Sequence, residues 1–206
     1  MIVPVFPLGC TLMPGGRLPL HVFEDRYRTM MADVLSSGHP EFGVVLIERG
    51  NEVGGGEIRG GHGTMARVLQ CRAFADGRYA VLAGGTSRFI VERWRDDHPY
   101  PSAVVRFAEE PSNGAHVAVD LLSVRAQVRQ VNALAAECGS EGADLQVNLL
   151  GDAELDSWRL IDASPLGHHD RQRLLALDDI DERCRQFVDL LAEVRESLLA
   201  TLGTPG

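Results

Sequence analysis

Apolar residues come in short blocks over the first half of the chain and at helical spacing over the second. Residues 2–6 form an apolar run closed by Pro7, and residues 19–23 a second extended piece; Met13-Pro14-Gly15-Gly16 between them is a turn signal. Over residues 24–37, Tyr27, Met30, Met31 and Val34 fall at i, i+3, i+4 and i+7, which predicts a helix with Glu24 and Asp25 in its first turn and Gly38 ending it. Residues 42–47 are a nearly continuous apolar run of strand length. Strand patterns follow at 64–71, 78–83, 88–94 and 103–107, with turns expected at Asp76-Gly77 and Gly84-Gly85. Residues 50–63 are glycine-dense and polar, which predicts a mobile connection. Short strands at close spacing point to a small barrel or sandwich rather than a parallel βαβ sheet.

The pattern changes at Pro111-Ser112-Asn113-Gly114, a linker signal. Beyond it, residues 117–138 place Val117, Leu121, Val124, Val128, Val131 and Ala135 on one face, closed by Gly139. Three further helices are predicted at 153–163, 164–177 and 179–202, the second of them opened by a Ser164-Pro165 cap. The fold class is therefore α+β, with a β-rich lobe over residues 1–111 and a helical lobe over residues 112–206.

Charge narrows the function. The net charge is −9, and it divides unevenly: residues 1–110 carry 12 Arg against 13 acids, and residues 111–206 carry 8 Arg against 16. Nucleic-acid binding draws on clustered cations that displace counterions, which this balance disfavours. Every cation is Arg, a pattern that a GC-rich coding sequence also produces. Without Lys, no Schiff base, phosphate-loop lysine or Ser–Lys dyad can form. Cys10, Cys71, Cys138 and Cys184 are far apart, with no C-x-x-C pair, and fit reduced, buried thiols of a cytoplasmic protein. The N-terminus lacks a basic region before its apolar run, and no apolar stretch reaches the ~18 residues of a membrane span.

Few residue patterns in the chain point to chemistry. Gly54-Gly55-Gly56 and Gly60-Gly61-His62-Gly63 run into a strand pattern, whereas a phosphate loop runs into a helix. His168-His169-Asp170 are adjacent and so point apart on a helix, unlike an i, i+4 metal pair. Asp178-Asp179 with Asp181-Glu182 lack the glycine and spacing of a calcium loop and suit a helix N-terminus. No G-x-S-x-G elbow is present. The expectation is a protein without catalytic residues, cofactor or metal.

Taken in order, several segments resemble the N-terminal, substrate-binding domain family of Lon protease. These are Pro4-Val5-Phe6-Pro7-Leu8, Met13-Pro14-Gly15 followed by Leu18-Pro19-Leu20-His21-Val22-Phe23-Glu24-Asp25-Arg26-Tyr27, Phe42-Gly43-Val44-Val45 and Gly63-Thr64-Met65-Ala66-Arg67-Val68. Asp76-Gly77-Arg78-Tyr79, Gly85-Thr86-Ser87-Arg88-Phe89, and Pro99-Tyr100 with Ala103 and Val105 continue the series. Trp158 and Asp170-Arg171-Gln172-Arg173-Leu174-Leu175 resemble the helical segment that follows in stand-alone bacterial members. The resemblance implies a PUA-like pseudo-barrel joined to a helical bundle, and recognition of unfolded or partner protein. It does not carry over ATP hydrolysis or proteolysis, because the chain has no Walker motif and no Ser–Lys dyad.

Pro14, Gly15, Pro19, His21, Phe23, Glu24, Arg26 and Tyr27 are expected to preserve the fold, with Phe23 and Tyr27 filling the junction between barrel and helix. Partner binding is expected at the glycine-rich connection and its flanks: Gly54, Gly55, Gly56, Gly60, Gly61, His62, Arg67 and Arg88. The alternative is RNA binding by the PUA-like fold through Arg67, Arg72 or Arg88. A small-molecule hydrolase with a dispersed site is a third class.

Overall fold

Neighbouring residues of the first strand enter two different cores: Val3 and Val5 join one apolar cluster, Phe6 and Leu8 the other. This is seen in a computed structural model that describes residues 1–50, 56–108, 118–139 and 147–203. The chain divides into two compact units, Met1–Ala108 and Glu109–Gly206.

The first unit runs β1 (Ile2–Leu8), β2 (Arg17–Val22), α1 (Asp25–Ser36), β3 (Glu41–Arg49), β4 (Ile58–Ala73), β5 (Tyr79–Trp94) and β6 (Ser102–Phe107). The sheet order β2-β5-β4-β3-β1-β6 returns on itself through a β5–β6 pairing. Among the described residues, only β1 and β3 pair in parallel, from Val5↔Gly43 to Leu8↔Leu46. The length of β5 permits closure: residues 79–84 pair with β2, residues 89–94 with β6, and β4 runs along the other edge of both parts. The result is a closed ring β1-β3-β4-β5-β6 with β2 added where β6 has ended.

Val3, Val5, Val45, Met65, Phe89, Ala103 and Val105 form one core of this unit. The other lies under α1, whose Tyr27, Met30, Met31 and Val34 meet Phe6, Phe42, Val44, Ala66 and Val81. β1 and β3 are covered on both faces, which explains why their sequences read as unbroken apolar runs.

Two glycine-rich segments differ from the turn and the mobile connection that their composition predicts. Gly84-Gly85 is not a turn, because β5 is continuous through it. A Cβ on Gly85 would lie 2.2 Å from the Met13 carbonyl oxygen. Glycine there lets the 13–16 turn dock on the strand, where the Gly15 N–H donates to the Gly85 carbonyl at 3.0 Å and the Gly85 N–H to that of Gly16 at 2.9 Å. Likewise, the expected mobile connection is strand from residue 58 onward. Gly60, Gly61, His62 and Gly63 belong to β4, with Gly63 opposite Val45 on one side and Phe89 on the other. A Cβ on Gly63 would meet the Val44 carbonyl oxygen at 2.3 Å and Phe89 Cζ at 2.5 Å, so close packing selects this glycine.

The second unit contains α2 (Leu121–Glu137), α3 (Ala153–Asp162), α4 (His168–Leu175) and α5 (Ile180–Leu202). Asp120, Asp152 and Asp179 cap α2, α3 and α5, their carboxylates accepting from the N–H groups of Leu122, Leu155 and Glu182. The cap expected at Ser164 is not formed. Its hydroxyl instead donates to the Ile161 carbonyl at the end of α3, and α4 starts at Gly167 without a side-chain cap. His168, His169 and Asp170 form the first turn of α4. Arg183, fully buried, donates to Glu154 at 2.6 Å and to the Leu177 carbonyl at 3.1 Å, with its guanidinium 3.8 Å from the Trp158 ring centroid.

Candidate functional site

β2 is the edge of the sheet: Leu18, Leu20 and Val22 alternate inward while Arg17, Pro19 and His21 face solvent. Beside it, Phe6 and Leu8 of β1 and the inward residues of β2 border a cleft of about 280 Å³, with Tyr27 of α1 also in its wall. The Tyr27 ring stacks on Phe6 at 3.9 Å between centroids and 14° between planes, and the Arg26 guanidinium covers its other side at 4.4 Å. Burial pushes the Tyr27 hydroxyl well above the ordinary phenol range. Glu24, also in the wall, is held by Arg26 at 3.2 Å. The rest of the wall combines apolar side chains with His21 and Cys10.

Phe23 stands at the rim with 56% of its surface exposed, which corrects the expectation that it fills the barrel–helix junction. It is the first residue after β2, and the alternation that buries Val22 turns it outward. Tyr27, by contrast, is 2% exposed. Pro14 is buried in the turn, and Gly15 adopts a φ of 79° there. Pro19 and His21 lie exposed on β2, and Glu24 is the N-cap residue of α1, though its side chain reaches Arg26 rather than the helix amides.

Of the residues expected to bind a partner, the described ones do not form one exposed surface, because Arg88 is buried. Gly54 and Gly55 lie outside the described residues, and Gly56 has a φ of 79°. Gly60, Gly61 and His62 lie within β4, His62 opposite Ile90 of β5. Arg67 is exposed but bridged to Glu41, its cross-strand neighbour, at 2.7 Å. Arg88 is 4% exposed and so cannot make a surface contact. Arg72 lies 5.2 Å from the Phe74 ring centroid. These arginines do not build the cationic face that phosphate recognition requires. Among the described residues, no group of three or more His, Cys, Asp or Glu is arranged to hold a metal ion. No helix among them is long and apolar enough to cross a membrane.

A second ionic cluster lies under the start of β4. Arg59 bridges Glu57 at 2.7 Å and donates to Asp97 at 2.8 Å, with its guanidinium 4.8 Å from the Trp94 ring centroid. The Arg59 hydrogen bonds hold the Asp97 carboxyl below the usual carboxylate range.

A closed mixed barrel with one helix laid on its strands, followed by a helical unit, is the architecture of Lon N-terminal domains. The crystal structure of a Lon N-terminal domain protein from Xanthomonas campestris matches 92% of this chain and 98% of its own, with a TM-score of 0.70 and 26% identity. The N-terminal domain of a Mycobacterium avium complex Lon protease shares the fold at a TM-score of 0.57, with 20% identity over 93% of this chain and 98% of its own. The chain belongs to the family of the ATP-dependent protease La (LON) substrate-binding domain, whose model matches residues 2–193. Lon protease 2 of Myxococcus xanthus and the Lon protease of Anaeromyxobacter dehalogenans are each 26% identical to it over 203 residues. Those alignments take in 96% of this chain but only 24% of either relative, so the chain spans about a quarter of their length.

Proposed function

We propose that this protein is a non-catalytic recognition module that holds unfolded or partner polypeptide in the cleft beside β2. The observation that carries this reading is a cleft of mixed polarity, walled by Phe6, Leu18 and Leu20, with a large aromatic side chain exposed at its rim. Exposed aromatics beside apolar recesses are the usual anchors of protein–protein contacts. Membership of a substrate-binding family supports the same reading. RNA binding is the weaker account, because Arg88 is buried and Arg67 is paired with Glu41.

The test is capture of a permanently unfolded model protein by the wild-type chain and by Phe23→Ala. Truncating the exposed ring should weaken capture several-fold and change folding stability by less than ~0.5 kcal/mol. Capture at wild-type strength would remove the cleft as the site. Deleting residues 54–61, by contrast, would cut into β4 and so could not isolate a binding contribution.

A further inference from the structure

We infer that the cleft reads the side chains of its ligand and does not extend the sheet with the ligand's main chain; this rests on the recognition function proposed above. Both strands along the cleft carry a proline where an incoming strand would need a donor. On β1, the Val5 N–H points away from β3 and donates to the Pro101 carbonyl at 2.9 Å. Amides two residues apart share a side of a strand, so the next position on that outer edge is Pro7, which has no N–H. On β2, Pro19 lies opposite Leu82 of β5. A proline fits an antiparallel ladder only at a non-hydrogen-bonded position, so its nitrogen is turned to the outer edge. The middle of that edge therefore offers no donor either. Prolines placed in this way are a known means of blocking strand addition.

The cleft is instead suited to an apolar side chain. Its volume of about 280 Å³ falls just below the ~300–1,000 Å³ of sites that enclose a drug-sized molecule. Leu18, Leu20 and Phe6 supply apolar walls, and the charge of Glu24 is balanced by Arg26 at 3.2 Å. An uncharged occupant fits this balance. The ligand is a bulky aliphatic or aromatic side chain on an extended segment of another protein, anchored by Phe23 at the rim.

The test is an amide NMR titration of the full chain with three short peptides. The parent carries a single Phe in a Ser/Thr background, the second is N-methylated on the residues flanking the Phe, and the third replaces the Phe by Asp. The parent and N-methylated peptides should bind within about twofold of each other and shift the amide resonances of residues 18 and 20–23, while the Asp peptide loses roughly tenfold or more. A parent peptide that binds while its N-methylated form does not would establish strand addition and overturn the inference, leaving the recognition function standing. An Asp peptide that binds like the parent would also overturn it. If no peptide binds, the recognition function falls and takes the inference with it.

Discussion

Gly61 and Gly63 lie two residues apart in β4, and the structure gives them opposite tolerances for an added methyl group. A Cβ at Gly61 meets nothing within 4 Å, whereas one at Gly63 lands 2.3 Å from the Val44 carbonyl oxygen, 2.5 Å from Phe89 Cζ and 2.8 Å from Val45 Cγ1. The first of these obstacles is backbone of the paired strand, and the second belongs to a ring with no exposed surface. Neither can retreat without disturbing the β3–β4 ladder or the barrel core. Overpacking of this kind costs ~1–3 kcal/mol, and a backbone obstacle places Gly63→Ala toward the upper end. Gly61→Ala should fall within ~0.5 kcal/mol of wild type. Urea unfolding followed by circular dichroism measures both, with the midpoint falling for Gly63→Ala and the slope unchanged. Equal midpoints for the two variants would mean that residues 58–63 are not held in the described register, and the closed barrel would lose one of its seams.

Three further predictions concern other parts of the chain. Arg183→Ala leaves Glu154 without its buried partner and Trp158 without its stacked cation, so the helical unit should lose ~3–5 kcal/mol, read as a lower thermal midpoint. Asp97 has a folded pKa below its unfolded one, so its contribution to stability is present above the unfolded value near ~3.9 and lost as pH falls through the folded value. Asp97→Asn should therefore show a shallower acid-side loss of stability below about pH 4 than wild type in pH-dependent melts. Burial raises the Cys184 thiol to about 11, while Cys71 is exposed, so a thiol reagent at neutral pH should label Cys71 in the folded protein and reach Cys184 only on unfolding, as mapped by mass spectrometry.

Much of the architecture is written locally. The i, i+3, i+4, i+7 spacing of Tyr27, Met30, Met31 and Val34 marks the buried face of α1, and the unbroken run 42–47 marks a strand covered on both sides. Glycine is where local reading fails, because the same residue type serves turns and close approaches. Gly85 makes room for the Met13 carbonyl and Gly63 for that of Val44, and both neighbours are remote in sequence. Ser164-Pro165 resembles a helix start, yet the hydroxyl is taken by the preceding helix. The cleft is not legible in the sequence for the same physical reason. It arises where β1 and β2 lie near each other, a long-range arrangement, and its local traces were Pro7 and Pro19 on the two strands and an apolar residue just past a strand end. The apolar spacing of Phe23 with Tyr27 points to the core, and strand alternation places Phe23 outside.

The double role of β1 has a consequence for how the barrel comes apart. Val5 and Phe6 are consecutive, yet each belongs to a different core, and β3 repeats the arrangement with Val44 and Val45. Neither layer can loosen while the other stays intact, because melting either strand empties both. The barrel unit should therefore open in one step, and its slowest-exchanging amides should belong to β1 and β3.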